Sequence, residues 1–326
     1  MPKLALLDDY QSVAMKSADW STLPDGCTVE AFSNHLADED AVAERLKDFE
    51  FVMAMRERTP FPKSLLEQLP NLKMLGTAGA RNASIDMQTA TDLGIVVCGT
   101  RGTPRATMEL TWGLILGLLR KIPQEFAATR AGAWQETLGE GLDGRTIGLL
   151  GLGRIGGQAA EVAKAFHMNI IAWSQNLTAD RAQECGATLV SKDELFSQAD
   201  IISIHLQLSD RTRNLVQAED LARMKPTAYL VNTSRGPIVD EAALVDTLKR
   251  KAIAGAGIDV YEVEPLPSGH VYLSLDNALL TPHMGYVTEE TYDLFYGDTL
   301  DNVKGFMSGD PQRVVNEDVL GKMRTL

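Results

Sequence analysis

Cysteine is scarce in this chain, and positive charge is in deficit. The 326 residues include three cysteines, Cys27, Cys98 and Cys185, far apart and odd in number. That argues against a disulfide framework or a Cys-type zinc site and fits a reducing, cytoplasmic compartment. Lysine and arginine total 31 against 44 aspartates and glutamates, a formal net charge of -13. A binder of the nucleic-acid backbone needs a basic face, so nucleic acid is not an expected partner; a local arginine cluster can still hold an anionic small molecule. Long hydrophobic runs are missing as well. The strongest, Leu110 to Leu119, is closed by Glu109, Arg120 and Lys121 and falls well short of the ~20 residues of a membrane span. Asp8 and Asp9 stand where a signal peptide needs apolar residues, so no membrane partner is expected. His35, His167 and His270 show no ligand spacing and no H-E-x-x-H occurs, so no metal is expected.

What is present is an ordinary globular balance, 44% hydrophobic and 23% charged residues, in a chain long enough for one large or two medium domains. Strand-like and helix-like segments alternate. LALLDD (4–9), FVMAM (51–55), LKMLGTAG (72–79) and IVVC (95–98) read as buried strands, with helical spacing in 40–49 and 65–69. A long helix is expected from about Arg105 to Arg120, then a polar, glycine-bearing stretch. A second block of strands follows at 146–151, 169–174, 199–206, 228–234, 254–260 and 278–283, with helices such as 156–167 and 240–250 between them. Such alternation predicts two doubly wound parallel sheets of Rossmann-like α/β type. Past His283 a helical pattern sets Phe295, Leu300, Val303 and Phe306 on one side. It is expected to return to the first block. The expected domains are therefore 1–99 with 288–326, flavodoxin-like and discontinuous, and 100–287 as the dinucleotide domain.

Gly151-Leu-Gly153-Arg154-Ile155-Gly156 follows the apolar run TIGLL and opens a helix. This is G-x-G-x-x-G between strand and helix, the setting in which the motif binds a dinucleotide. The first glycine permits the tight turn, the second lets backbone approach the pyrophosphate, and the third allows close helix–strand packing. Arg154 is a candidate pyrophosphate partner. The next strand ends at Ser174, where NAD enzymes usually carry an acid for the ribose hydroxyls. No arginine follows immediately, so NAD and NADP both stay open.

VNTSRGPIVDEAAL (231–244), GAGIDVYEVEPLP (255–267) and LLTPHMGYVTEET (279–291), taken with GLGRIG and the discontinuous layout, resemble the D-isomer-specific 2-hydroxyacid dehydrogenase family over essentially the whole chain. The resemblance implies hydride transfer between NAD(P)H and a small 2-keto acid or its D-2-hydroxy acid. It makes Arg235, Glu264 and His283 the catalytic trio. His283 would exchange the proton, Glu264 would hold the other ring nitrogen, and Arg235 would take the substrate carboxylate and keto oxygen. It also implies cofactor contacts at Thr107, His205, Thr233 and Asp259, a structural turn being the rival role for Asp259 and structural service the rival for His205.

On the substrate side, Gly79 to Asp86 stands where the family has a G-V-G-x-D-N-I-D-like loop whose backbone amides hold the substrate carboxylate. Arg81 replaces a small residue there and Ala83 an acid. The role carries over to Ala80 and Arg81. Arg56 matches an arginine that helps hold phosphate in the phosphoglycerate dehydrogenases of this family, so Arg56 and Arg81 could face a doubly anionic or bulky acid. Gln207 replaces the family's usual proline. Ala106 to Leu119 resembles the helix that links the domains and builds the dimer contact, which makes a homodimer the expected assembly. Trp112, Leu114, Ile115 and Leu118 then serve either the core or a second subunit. Two other activities sit on the same scaffold: a formate-dehydrogenase-like enzyme, against which the pairing of Glu264 with His283 speaks, and an NAD-binding corepressor-type regulator.

Overall fold

The structure, a computed structural model, describes residues 1–24, 26–103 and 105–325. The chain divides into two compact units, Met1–Thr103 with Val287–Leu326, and Pro104–Tyr286.

In the first unit β1 (Lys3–Leu6), β2 (Thr28–Ala31), α1 (Glu39–Leu46), β3 (Phe51–Ala54), α2 (Lys63–Glu67), β4 (Met74–Thr77), α3 (Met87–Asp92) and β5 (Val96–Cys98) succeed one another. Their strands pair in parallel in the order β2-β1-β3-β4-β5. Period-2 alternation feeds two apolar layers. Ala5, Leu7, Val52, Ala54, Leu75 and Val97 pack with Val42, Leu46, Leu65, Leu66 and Ala90 of the crossover helices. β2 escaped the sequence reading because it is an edge strand of Thr-Val-Glu-Ala with only partial burial on alternate residues, which leaves almost no apolar signal.

The second unit opens with α4 (Arg105–Leu119) and α5 (Ile122–Arg130). It continues through β6 (Thr146–Leu150), α6 (Arg154–Ala165), β7 (Asn169–Trp173), α7 (Ala179–Glu184), β8 (Thr188–Leu189), α8 (Lys192–Gln198) and β9 (Ile201–Ile204). α9 (Ala218–Arg223), β10 (Tyr229–Asn232), α10 (Glu241–Lys249), β11 (Gly255–Ile258) and β12 (Ala278–Leu280) complete it. All strands are parallel, in the order β12-β11-β10-β9-β6-β7-β8. Successive residues serve opposite faces: Ile147 and Leu149 join the layer holding Trp112, Leu114, Ile115 and Leu118, while Leu150 joins the other. The α4 residues left open between core and subunit contact are thus core of this unit. α5, with no buried residue, carried no periodic signal to read.

The last helix, α11 (Glu289–Met307), belongs to the first unit. Thr288 caps it by accepting from the Thr291 amide. Its inner face buries Phe295, Leu300, Val303 and Phe306, with the Phe306 ring edge-on to Phe51 at 5.5 Å. Asp298 of this helix, with no exposed side-chain surface, is paired with Arg101 at 2.7 Å and Arg313 at 2.8 Å. Burial alone would raise that carboxyl, but the hydrogen bonds from Arg101 outweigh it and hold it below the usual aspartate range.

Candidate active site

Open parallel sheets bind ligands outside the carboxyl ends of their strands, and the candidate residues of the second unit gather there. Thr233 and Arg235 follow β10, Asp259 and Glu264 follow β11, and His283 follows β12, three neighbouring strands. His205 follows β9, the glycine turn follows β6, and Ser174 follows β7. Residues separated by more than a hundred positions in sequence thus share one edge of one sheet.

The dyad is explicit. His283 Nδ1 lies 2.5 Å from Glu264 Oε2. An ionised carboxylate only accepts hydrogen bonds, so against it Nδ1 carries the hydrogen. Glu264 is itself anchored, its Oε1 accepting from the Tyr261 amide at 2.9 Å. His283 adopts a left-handed backbone, φ 51°, an unfavourable conformation for a side-chain-bearing residue. The loop around it is held by Asp259, which is fully buried. Asp259 Oδ1 accepts from Thr281 Oγ1 at 2.6 Å and Met284 N at 2.8 Å, and Oδ2 from Gly285 N at 2.9 Å. Burial raises this carboxyl above its usual range. Thr107 stands at the same spot: a Cβ added to Gly285 would meet Asp259 Oδ2 at 3.1 Å and Thr107 Cγ2 at 3.3 Å. Of the two roles read for Asp259, the loop-holding one is visible in these bonds.

Arg235 is placed by an Asx turn. Asn232 Nδ2 donates to the Arg235 carbonyl at 3.0 Å, and Asn232 Oδ1 accepts from Ser234 N at 3.0 Å. Gly236 then passes so close to the next loop that a Cβ would fall 2.1 Å from the Tyr261 carbonyl. The backbone bearing Arg235 is therefore pressed against the segment bearing Glu264. Arg235 NH1 donates to the Ser234 carbonyl at 2.8 Å. Thr233 is buried and shares a hydrogen bond of 2.7 Å with Thr111 of α4. His205 bonds Ser203 Oγ at 3.0 Å, and desolvation pushes its imidazole down to about 4, so the ring is neutral at neutral pH.

The glycine turn fits an extended anionic ligand. Gly151 has φ 102°, and a Cβ there would strike the His205 carbonyl oxygen at 2.8 Å; a Cβ on Gly156 would lie 2.2 Å from the Gly151 oxygen. A Cβ on Gly153 would meet nothing within 4 Å. The first and third glycines are thus demanded by the protein itself, whereas the second faces open space, as a cradle for phosphate requires. Gly153 is the N-cap of α6 and brings no capping side chain, and no acid occupies the first turn, so the amides at this helix start are available to an anion. Arg154 is exposed at the first helical position and Ile155 is half-buried. Together these residues fit a dinucleotide pyrophosphate. Among the described residues no group of three His, Cys, Asp or Glu side chains is placed to hold a metal ion.

In the first unit, Arg56 follows β3 with φ 55°. Its NH1 donates to the Ala78 carbonyl at 2.9 Å and lies 2.1 Å from where a Cβ on Gly79 would stand. Gly79, φ 90°, is therefore required by the guanidinium crossing it. Ala80 and Arg81 are exposed. Arg58, which with Arg56 forms an arginine pair just past the strand FVMAM, donates to the Asp8 carbonyl at 2.8 Å and stacks over Tyr10 at 4.2 Å. Sequence reading missed Tyr261, whose hydroxyl donates to the carbonyls of Ile258 at 3.1 Å and Thr281 at 2.8 Å, and Tyr286, edge-on to His283 at 5.6 Å. No sequence signal separates these tyrosines from core residues.

A family description, D-isomer specific 2-hydroxyacid dehydrogenase, NAD binding domain, matches residues 112–285. The chain belongs to the D-isomer specific 2-hydroxyacid dehydrogenase family. It is 40% identical over 267 residues to a glyoxylate reductase of Aeropyrum pernix, covering 78% of this chain and 80% of the relative. To a D-3-phosphoglycerate dehydrogenase of Methanocaldococcus jannaschii it is 36% identical over 88% of this chain, and it spans only 56% of that relative. A solved phosphoglycerate oxidoreductase from Vibrio cholerae superposes with TM-score 0.90 at 39% identity, covering 94% of this chain and 99% of the other. The Escherichia coli D-lactate dehydrogenase superposes with TM-score 0.82 at 27% identity, covering 96% and 99%. In this family member the glycine turn after β6 belongs to the NAD binding domain, and the cofactor is NAD or NADP.

Proposed function

We propose that this protein is an NAD(P)-dependent oxidoreductase that interconverts a small 2-keto acid and its D-2-hydroxy acid. The observation carrying the reading is the His283–Glu264 pair at 2.5 Å, on the same sheet edge as Arg235 and the glycine turn. When bound, the nicotinamide supplies or accepts the hydride. In the reducing direction the carbonyl carbon gains hydride and its oxygen becomes an alkoxide that needs a proton. His283 delivers that proton from Nε2 while Glu264 holds Nδ1 and stabilises the imidazolium. Arg235 neutralises the carboxylate of the substrate and the charge growing on its keto oxygen. Oxidation runs the same steps backward, His283 then taking the hydroxyl proton.

The decisive experiment is a panel of 2-keto acids (glyoxylate, hydroxypyruvate, bulkier acids) assayed with NADH and NADPH separately. Turnover of at least one, lost in Arg235→Ala with cofactor affinity near normal, is the expected result. Tight cofactor binding without turnover of any acid would favour the regulatory-protein alternative. Turnover of formate alone would favour the formate-dehydrogenase-like one.

We also propose that the protein acts as a homodimer in the cytoplasm. Ile122, Phe126, Trp134 and Leu138 are 54%, 64%, 77% and 92% exposed, a run of apolar side chains on one connecting segment that a second copy would cover. Light scattering on Trp134→Glu with Leu138→Glu is expected to report a monomer.

A further inference from the structure

We propose that a cavity at the amino edge of the second unit's sheet binds a small aliphatic carboxylate that also carries a hydrogen-bond donor, at a place separate from the candidate active site. The cavity, about 340 Å³, lies where β10, β11 and β12 begin, against the carboxyl end of α4 and the start of α5. That volume is within the range of small-molecule sites, about 300–1,000 Å³. The candidate catalytic residues lie past the opposite ends of the same strands. β10 and β11, four residues each, therefore hold the two places roughly 10 Å or more apart. A Cβ on Gly117 would stand 2.9 Å from Leu279 Cδ2, so the end of α4 is seated directly on β12.

The walls include the apolar side chains of Leu118, Ile253 and Leu279. Two polar residues of the lining lack the partner their chemistry calls for. Lys121 joins α4 to α5 with a left-handed backbone, φ 53°. Its ammonium donates to the Tyr229 hydroxyl at 3.0 Å, and that hydroxyl gives its own hydrogen to Glu140 at 2.7 Å. Burial and Glu140 push the phenol well above its usual range, so it is neutral, while Glu140 is neutralised by Arg145 at 2.7 Å. Among the described residues no carboxylate pairs with Lys121, and an ammonium has three donors, two of which remain for an anion. The second residue is Asn277. Its Nδ2 donates to the Leu248 carbonyl at 3.2 Å, which orients the amide. Its Oδ1 is buried with no hydrogen-bond partner among the described residues. A buried acceptor is costly to leave unpaired and calls for an N–H or O–H. The other charges of the lining, Lys251 and Asp276, cancel in an ion pair of 3.0 Å. One net positive charge, one acceptor and an aliphatic wall are complemented by a carboxylate, a donor and an aliphatic body in one small molecule. That is the chemistry of a hydroxy acid or amino acid with a branched side chain.

Calorimetric titration of the full chain without dinucleotide tests this without turnover, on the wild type and on Arg235→Ala, which removes the proposed carboxylate partner of the active site. The probes are 2-hydroxyisocaproate, leucine, isocaproate (no donor) and isoamyl alcohol (no carboxylate). At least one of the first two is expected to bind both proteins with a Kd below about 1 mM, the tighter of them telling a hydroxy acid from an amino acid. Isocaproate should bind about fivefold or more weaker, and isoamyl alcohol about tenfold or more weaker. Lys121→Met should weaken the acids by about tenfold or more. Asn277→Ala should erase the advantage of the donor-bearing acid over isocaproate. The probe series on the unsubstituted chain carries the same test should a variant fail to fold. Absence of binding by both donor-bearing acids at about 10 mM overturns the proposal. So does isocaproate binding as tightly as they do, a folded Lys121→Met without effect, or binding abolished by Arg235→Ala, which would place the acid in the active site. A chain that reduces a 2-keto acid but binds no probe here overturns this assignment and leaves the proposed activity standing. One that binds here but reduces no keto acid does the reverse.

Discussion

At the scale of single residues, His283, Glu264 and Asp259 divide the work of two neighbouring loops, those after β11 and β12. His283→Asn should lower kcat by roughly 10²–10⁴-fold while dinucleotide affinity stays near wild type, checked by steady-state kinetics beside fluorescence titration. Asp259→Ala acts by another route. It leaves the buried Gly285 amide and the part-buried Met284 amide without their acceptor, and we expect a loss on the order of 2–4 kcal/mol in denaturant unfolding. His205 ties stability to pH. Its imidazole is lowered from 6.5 to about 4, so the unfolded chain takes up a proton that the folded one refuses. This contribution is complete above pH 6.5 and is lost as pH falls toward 4, at up to about 1.4 kcal/mol per pH unit. His205→Gln should flatten the acid limb of a melting-temperature profile over that window; an unchanged limb would remove His205 as its source. Arg235, Glu264 and His283 could be singled out in the sequence because each sits in a run of distinctive neighbours. The bonds from Tyr261 and the edge contact of Tyr286 were not, because they depend on how two loops meet in space.

At the scale of elements, the glycine turn separates residues demanded by folding from one reserved for a ligand. Gly156→Ala must displace the Gly151 carbonyl, 2.2 Å from the new Cβ, and should cost about 1–3 kcal/mol in the apo protein. Gly153→Ala has open space around it. It should leave apo stability within about 0.5 kcal/mol and still impair dinucleotide binding. Equal melting temperatures with unequal affinities are the signature to look for. Buried central strands such as β6 and β9 were readable as apolar runs, and α6 was readable from its turn. β2 and β8 were not, since edge strands exposing alternate or all residues do not differ in composition from loops.

At the scale of the whole molecule, the alternating pattern made both parallel sheets legible and the late helix predictable as a structured, one-sided element. Asp298, however, was unreadable as the buried anion between Arg101 and Arg313. Asp298→Asn should destabilise the first unit by about 3–5 kcal/mol. Because its carboxyl is held below the usual range, its contribution is present above pH ~4 and fades as acid protonates it; thermal melts at pH 7 and pH 3 will show this. The second unit carries a different vulnerability. The proposed proton donor, His283, hangs from β12, a three-residue rim strand paired on one side only and partly open to solvent. Short rims fray at free energies well under that of global unfolding. Heating should therefore silence turnover several degrees before the ellipticity changes, and amide deuteration should mark 278–285 among the earliest segments to exchange. The hottest temperature at which this catalyst works is set by the grip on its margin, not by the strength of its core.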